Sequence, residues 1–290
     1  MTTPSPPLIF DRPLLRARLE RAIGAGAPDF LLQRAADDLA DRLIAIRRDF
    51  PRALDLSTPG PHFAQAVVAS GRPAPLRAGA FDAIDVRCDD EALPFAANAF
   101  DLVVSGLSLQ WVNDLPGVFA QVRRILAPDG LFLACMAGGA SLAELRAALA
   151  EAEAEVTGGV SPRVAPFVDV RDLGALLQRA GFALPVADAD SFTLRYDSFF
   201  ALCSELRRMG AANALRARLR QPTRRAVFLR AAQIYAEKFS DPDGRVRATF
   251  EIVWLSGWAP HESQQKPLAP GSAQMRLADA LKMGRGESCG

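Results

Sequence analysis

The sequence has few cysteines and histidines, and neither residue type is grouped as a metal site requires. Its four cysteines stand far apart with no CxxC pair, and its two histidines lie in different parts of the chain. This spacing excludes a zinc finger and argues against a disulfide framework. Cys88 and Cys135 lie in apolar, strand-like runs, where a reduced thiol packs as a small hydrophobic group. We therefore expect reduced thiols, no metal and a cytoplasmic protein.

The sequence also lacks an excess of charge of either sign. It has 34 basic and 33 acidic residues, with no long run of one sign. Duplex nucleic acid or an anionic membrane would require a basic surface, so neither is an expected partner. No stretch reaches the roughly 20 apolar residues of a membrane-spanning helix, and residues 1–12 do not resemble a secretion signal. We expect no integral membrane segment and no export, and the composition leaves the oligomeric state open.

What the sequence does contain is a regular alternation of short apolar runs with helical stretches. The predicted strands are Ala53–Leu56, Ile84–Cys88, Phe100–Ser105 and Gly130–Met136. The predicted helices are Asp29–Phe50 (with Asp29 as its cap), His62–Ser70, Leu115–Leu126 and Ser141–Thr157. Such an alternation predicts an α/β fold with a doubly wound, mostly parallel sheet.

The pattern changes after residue 169. A helix is predicted at Val170–Ala180, a strand at Ser191–Tyr196, mostly helix over Ser198–Phe239 and a last strand at Ala248–Trp254. No flexible linker separates these segments, which favours a helical insertion over an independent second domain. We expect an N-terminal helical segment over 1–49, a main domain over 50–267 with an insertion at about 198–240, and a disordered tail over 268–290.

The turn after the first predicted strand lacks the glycines of a nucleotide-binding turn. The strand ends in Asp55-Leu56, after which such turns are glycine-rich so that a ligand can approach bare backbone. This chain instead has Ser57, Thr58, Pro59, Gly60 and Pro61. Proline fixes φ and has no N–H to donate, although Pro61 can still precede a helix. The pattern favours a stiff structural corner.

Several longer motifs together resemble one family. They are "FDRPLLRAR" (10–18), "FPRALDL" (50–56), "LPFAANAFDLVVSGLSLQWVNDLP" (93–116), "LAPDGLF" (126–132), "GGASLAELR" (138–146), "RAGF" (179–182) and "GWAPHESQ" (257–264). The chain resembles the class I S-adenosylmethionine-dependent methyltransferase superfamily along nearly its whole length. It is most similar to the branch of the mitochondrial complex I assembly factor with arginine hydroxylase activity, and less so to malonyl-acyl carrier protein methyltransferases.

The resemblance implies a seven-stranded sheet with an antiparallel last strand, and a cofactor site. The family's three turn glycines would fall at Ser57, Pro59 and Pro61. An acid near position 89 would hold the adenine, with a helix-capping or solvated loop acid as the alternative. An acid about 20 residues after the turn, Asp82 or Asp85, could hold the ribose, although an acid in a surface turn is the default interpretation. The residues expected at the cofactor are Asp55, Ser57, Gly60, Asp89, Asp90, Ser105, Trp111 and Asn113. Gln110 stands where the family often has a histidine, and no catalytic residue is assigned.

Two functions of different classes stay open. In the first, the chain is a methyltransferase-like enzyme that uses S-adenosylmethionine or a related compound, held weakly, to modify a protein side chain or a small acid. In the second, it is an inactive methyltransferase-fold factor that binds a respiratory complex I subunit or another protein. Hydroxylation of arginine would need an oxidant, and no iron triad of two histidines and a carboxylate is evident in the sequence. Loss of the turn glycines favours the second function, and the segment from Asp89 to Pro116 favours the first.

Overall fold

The computed structural model describes residues 8–81 and 84–264, and within them seven strands form one sheet. The strands are β1 (Ala53–Leu56), β2 (Leu76–Gly79), β3 (Val86–Arg87), β4 (Phe100–Gly106), β5 (Leu126–Ala137), β6 (Ala183–Tyr196) and β7 (Val246–Trp258). Their order across the sheet is β3-β2-β1-β4-β5-β7-β6. Strands β1 to β5 are parallel, whereas β7 is antiparallel to both β5 and β6. The predicted doubly wound sheet with an antiparallel last strand is confirmed.

Helices cover both faces of this sheet. They are α1 (Arg12–Gly24), α2 (Phe30–Ile44), α3 (His62–Ala69), α4 (Leu115–Ile125), α5 (Ala143–Thr157), α6 (Val170–Arg179), α7 (Phe199–Arg208) and α8 (Arg225–Phe239). Successive residues of β4 face opposite sides: Leu102 and Val104 pack in the core with α2 and α3, and Val103 packs in the core with α4 and α6. A strand buried on both faces needs a continuous apolar run, which is why β4 was recognisable in the sequence.

The helical insertion lies between the last two strands along the chain. It consists of α7 and α8, which pack with α5 in a separate hydrophobic cluster around Leu202, Ala231 and Tyr235. The stretch predicted as mostly helical is thus two helices, and residues 209–224 between them are not in an α-helix. This arrangement places the insertion beside the carboxyl end of the sheet, next to Leu107 and Trp111.

Strand β6 is longer than its sequence indicated. Its first half, before Ser191, is rich in alanine and aspartate, which are poor strand formers. Both aspartates of this half form ion pairs of 2.7 Å with arginines of helix α2. Asp188 pairs with Arg42, and Asp190 pairs with Arg34. Pairing with β7 along nearly its whole length therefore keeps this polar segment extended.

The described residues up to Pro260 form one compact unit, and residues 261–264 fall in a second one. The domain boundaries expected after residues 49 and 267 stay predictions, and the expected tail over 268–290 lies outside the described residues. Among the helices described, none has both the length and the apolar character needed to span a bilayer.

Candidate functional site

The turn after β1 is filled by its own side chains. Ser57 has a φ of +58°, in the left-handed region that glycine adopts most easily, so it keeps a glycine-like backbone. Its N–H donates to the Ala78 carbonyl at 2.7 Å, and its hydroxyl donates to the Asp90 carboxylate. Gly79 makes room for this hydroxyl, since a Cβ there would lie 2.5 Å from the Ser57 Oγ. The hydroxyl oxygen of Ser57 thus occupies space that a glycine at position 57 would leave open.

The rest of the turn is tied to neighbouring strands. Thr58 is buried and its hydroxyl accepts a hydrogen bond of 2.9 Å from the Gly106 N–H at the end of β4. Arg77 on β2 donates to the Gly60 carbonyl at 2.5 Å. Pro61 stands directly before α3, as expected, where its missing N–H has little cost. These contacts tie the turn to β2 and β4, and its stiffness stays a prediction.

Asp55, at the end of β1, is buried beneath this turn. Its side chain is 1% exposed, and neither carboxylate oxygen has a hydrogen-bond partner within normal geometry. The nearest cation is the Arg77 Nε, 3.5 Å away. Burial outweighs the weaker polar contacts of Thr58 and the attraction of Arg77, and raises the pKa of Asp55 to about 7. An acid expected at the cofactor is therefore largely protonated below neutral pH.

The acidic loop after β3 is closed by an arginine from the start of α1. The guanidinium of Arg12 lies 2.7 Å from the Asp89 carboxylate, 3.2 Å from Asp90 and 2.9 Å from Glu91. Asp90 also accepts the hydrogen bond from Ser57, and burial raises its pKa. The structure thus brings Ser57, Asp89 and Asp90 together. Their polar groups contact one another or Arg12.

Asn113 and Trp111 hold the N-terminal segment of the chain. The Asn113 Oδ1 accepts hydrogen bonds from the N–H groups of Ile9 and Phe10, at 2.8 and 2.7 Å. The ring of Trp111 packs edge-on against Phe10, with 5.5 Å between centroids, and against Phe167. Asn113 therefore anchors this segment, while Trp111 also reaches a cavity described below.

Two other expected site residues make structural contacts. Ser105 is fully buried, and its hydroxyl donates to the Leu56 carbonyl at 2.7 Å, which ties β4 to β1. Asp85 accepts a hydrogen bond of 2.8 Å from the backbone N–H of Arg77. Asp82, the alternative ribose acid, lies outside the described residues. Asp29 stands at the N-cap of α2, but its carboxylate pairs with His62 at 2.9 Å instead of capping the helix.

An apolar cavity of about 330 Å³ lies at the carboxyl end of the sheet, between it and the insertion. Pro59 of the turn and Trp111 border it, whereas Asp89, Ser105 and Asn113 do not line it. This cavity therefore brings Trp111, but not the other three residues, to its lining. The apolar walls include Leu142, Leu145, Phe167, Leu206 and Phe250, and the polar lining residues include Asp29, Gln110, Arg163, Arg207 and Glu251.

Burial keeps the thiol at the cavity wall neutral. It raises the pKa of Cys203 to about 11, so the thiolate needed for a nucleophile is scarce at neutral pH. The described cysteines, Cys88, Cys135 and Cys203, are all free.

The sequence did not single out Arg12 or Glu251. Arg12 belongs to the N-terminal motif at residues 10–18. No local sequence pattern indicates that it pairs with the acidic loop, whose residues lie 77 or more positions later in the chain. Glu251 could have been noticed, because it is the one acid in the apolar run Ala248–Trp254. A lone carboxylate in a buried strand is costly unless it has a partner or a role.

Comparison with known proteins places the chain among methyltransferase-fold proteins. A family model described as "Methyltransferase domain" matches residues 74–134. The chain is 37% identical to the mitochondrial arginine hydroxylase NDUFAF5 of Danio rerio, over 97% of this chain and 92% of that protein. It is 31% identical to a malonyl-[acyl-carrier protein] O-methyltransferase of a Methylovorus species, over 92% of this chain and 96% of that protein. The resemblance expected from the sequence motifs is confirmed.

A solved structure supports the same fold. Phosphoethanolamine N-methyltransferase 2 of Haemonchus contortus, in complex with S-adenosylhomocysteine, superposes with a TM-score of 0.51 at 15% identity. The match covers 85% of this chain and 61% of that one. At this identity the likeness concerns the fold.

The comparisons also correct one expectation. The relatives aligned over 97% of the chain, NDUFAF5 of Danio rerio and of Homo sapiens, are mitochondrial proteins, so the expectation of a cytoplasmic protein is wrong. That expectation came from dispersed, reduced cysteines, which do not distinguish one reducing compartment from another.

The described residues do not fit S-adenosylmethionine in the way that a glycine turn would hold it. The Ser57 hydroxyl and two prolines replace the open backbone, and Asp90 is engaged by Ser57 and Arg12. Of the groups expected to hold the cofactor, Ser57 and Asp90 thus bind each other, and Asp89 and Asp90 pair with Arg12.

Proposed function

The chain belongs to the methyltransferase-fold family that includes the arginine hydroxylase NDUFAF5, and we propose that it acts on an arginine side chain of a partner protein. The partner we propose is a subunit of respiratory complex I during its assembly. In this proposal S-adenosylmethionine is bound weakly or not at all. The likeness to NDUFAF5 relatives over nearly the full length supports the arginine-directed activity.

One observation carries the proposal. At the carboxyl end of the sheet, where open α/β folds bind ligands, the nucleotide-type turn is closed but a cavity of about 330 Å³ beside Pro59 is open. This volume lies at the lower end of the range for ligand pockets and suits a single side chain. The closed turn, and not the cavity volume, therefore favours recognition of a protein side chain over recognition of a nucleoside.

A second function is favoured by the contacts of Arg12 and Ser57. If the acidic loop stays closed by Arg12 when a partner binds, the chain is an assembly factor that retains the fold without catalysis. The two functions differ in whether an arginine of the partner changes its mass.

The test is to compare complex I subunits from cells that contain or lack this chain, by mass spectrometry of their arginine-containing peptides. We expect one arginine to carry an added group only when the chain is present. An added oxygen identifies hydroxylation, which needs a two-electron oxidant supplied from outside the chain, and an added methylene identifies methylation, for which S-adenosylmethionine would be the methyl donor. Unmodified arginines with a loss of assembled complex I would support the non-catalytic factor instead. Unmodified arginines with normal complex I would contradict both functions.

A further inference from the structure

The balance of charge over the whole chain conceals a strongly basic segment in the insertion. Residues 206–236, from the end of α7 through most of α8, contain eight arginines and no acidic residue. Two of these arginines are neutralised by acids from other parts of the chain. Arg218 lies 3.0 Å from the Asp11 carboxylate, and Arg230 lies 2.5 Å from that of Glu155.

The other six arginines of this segment are exposed, and within the described part of the chain none of them forms an ion pair. They are Arg207, Arg208, Arg216, Arg220, Arg224 and Arg225. The acids that flank the segment are engaged elsewhere. Glu205 accepts a hydrogen bond of 2.6 Å from the Tyr196 hydroxyl, and Glu237 lies 3.8 Å from Arg230. The insertion therefore carries a positive charge that its own side chains do not neutralise.

A groove of about 570 Å³ between α7 and α8 brings two of these arginines next to exposed apolar side chains. Phe200 and Arg207 line it from one face of α7, and Arg225 and Leu229 line it from one face of α8. Phe200 is 49% exposed and Leu229 is 46% exposed, although both side chains are large and apolar. Grouped apolar side chains that remain in water, with charges around them, are typical of a surface that binds a partner.

The distribution of the arginines favours a narrow partner over a flat one. Arg207 and Arg225 line the groove, whereas Arg208 and Arg216 line two other pockets of the surface. A planar bilayer cannot contact all of these positions at once. A segment that lies in the groove contacts the first two arginines directly, and the others add to the positive potential around it.

We propose that the groove between α7 and α8 is the docking site for an acidic amphipathic helix of a partner protein. Apolar side chains of this helix pack against Phe200 and Leu229, and its carboxylates pair with Arg207 and Arg225. An amphipathic helix binds such a groove through anchors at i, i+3, i+4 and i+7. Arginine suits a carboxylate because its planar guanidinium donates two parallel hydrogen bonds to it.

The groove adjoins the cavity beside Pro59, because Cys203, Arg207 and Phe228 line both. A helix docked in the groove therefore lies next to the cavity. Docking goes beyond the proposed modification of an arginine and does not depend on it, since the charge and the apolar side chains of the groove carry it.

The test uses synthetic peptides of about 18 residues, long enough to form a helix, and the full chain. The acidic peptide has leucine at helical spacing and glutamate among its other positions. The basic peptide has lysine in place of each glutamate, and the polar peptide has glutamine in place of each leucine. Fluorescence anisotropy should show the acidic peptide binding at least about tenfold more tightly than either of the others, and more weakly as salt is added.

Two kinds of variant test the groove itself. Arg207→Gln combined with Arg225→Gln should weaken the acidic peptide at least about tenfold, because both direct ion pairs are lost. Phe200→Ser should weaken it several-fold, through the loss of an apolar contact. The matched control is Arg171→Gln combined with Arg179→Gln, which removes two exposed arginines of α6 and the same charge. It should change the affinity less than twofold.

Thermal unfolding checks that each variant is folded, and if the double variant is not, the preference of the wild type and Phe200→Ser still decide. Equal binding of the acidic and basic peptides, or equal losses in the two double variants, would overturn the proposal. So would tighter binding to phosphatidylglycerol vesicles, or to a single-stranded RNA, than to the acidic peptide. Because none of the peptides contains arginine, the result is independent of whether the chain modifies an arginine.

Discussion

Between pH 5 and pH 8 the free energy of unfolding should fall by about 3 kcal/mol because of Asp55 alone. Burial raises the pKa of this carboxyl group to about 7, whereas in the unfolded chain it titrates near 4. The native state therefore keeps the proton that the unfolded state releases. The stability this gives is fully present below about pH 4 and is lost as the pH rises through about 7.

The measurement is urea denaturation of the wild type and of Asp55→Asn at several pH values. Asparagine cannot ionise, so its curve should lack the fall that Asp55 causes, and other titrating groups contribute equally to both proteins. The free energy of unfolding of Asp55→Asn minus that of the wild type should therefore be larger at pH 8 than at pH 5. Parallel curves would mean that Asp55 is ionised and paired with Arg77, contrary to the burial described above.

Breaking the pair between Glu153 and Arg163 should cost about 3 kcal/mol of stability or more. Glu153 on α5 is 4% exposed, and its carboxylate accepts from the Arg163 guanidinium and from the backbone and hydroxyl of Ser161. Glu153→Gln leaves the poorly exposed Arg163 charge without a counterion. This pair also matters for the cavity, because it neutralises an arginine of the lining.

Glu155→Gln is the matched control, two residues along the same helix. Its carboxylate is 44% exposed, so loss of its pair with Arg230 should cost less than about 1 kcal/mol. The hydrogen bond from Arg163 lowers the pKa of Glu153 to about 2. The stability from Glu153 is therefore present above about pH 4.5 and lost as the pH falls towards 2, and Glu153→Gln should lack this loss. Equal costs for the two variants would contradict the burial of the first pair.

The core of the sheet was predictable, because its strands are continuous apolar runs. β1 and β4 were placed within one residue of their observed ends, and they are parallel neighbours. β2 was missed, since it has four residues, only two of them buried, and follows a proline-rich stretch. α1 lies in the expected N-terminal helical segment, but its bounds were not predicted, because it buries only Leu15 and Ala22, which gives no helical periodicity of apolar residues.

The site was predictable in its location but not in its contacts. The motifs identified the turn and the loop around Asp89 as one edge of the sheet, and the structure places Ser57 beside Asp90. That these two residues bond to each other, and that Arg12 pairs with the loop, depends on segments distant in sequence. Local patterns report which residue types are present, and not which of them neutralise each other.

Isothermal titration with S-adenosylmethionine tests most directly whether the turn is closed by its own side chains. The unmodified chain should show no saturable binding at micromolar cofactor. The variant Ser57→Gly, Pro59→Gly, Pro61→Gly restores two backbone donors and releases Asp90, and should bind at least about a hundredfold more tightly, since two charge-assisted hydrogen bonds contribute about 3 kcal/mol. Micromolar binding by the unmodified chain, equal to that of the variant, would contradict a closed turn.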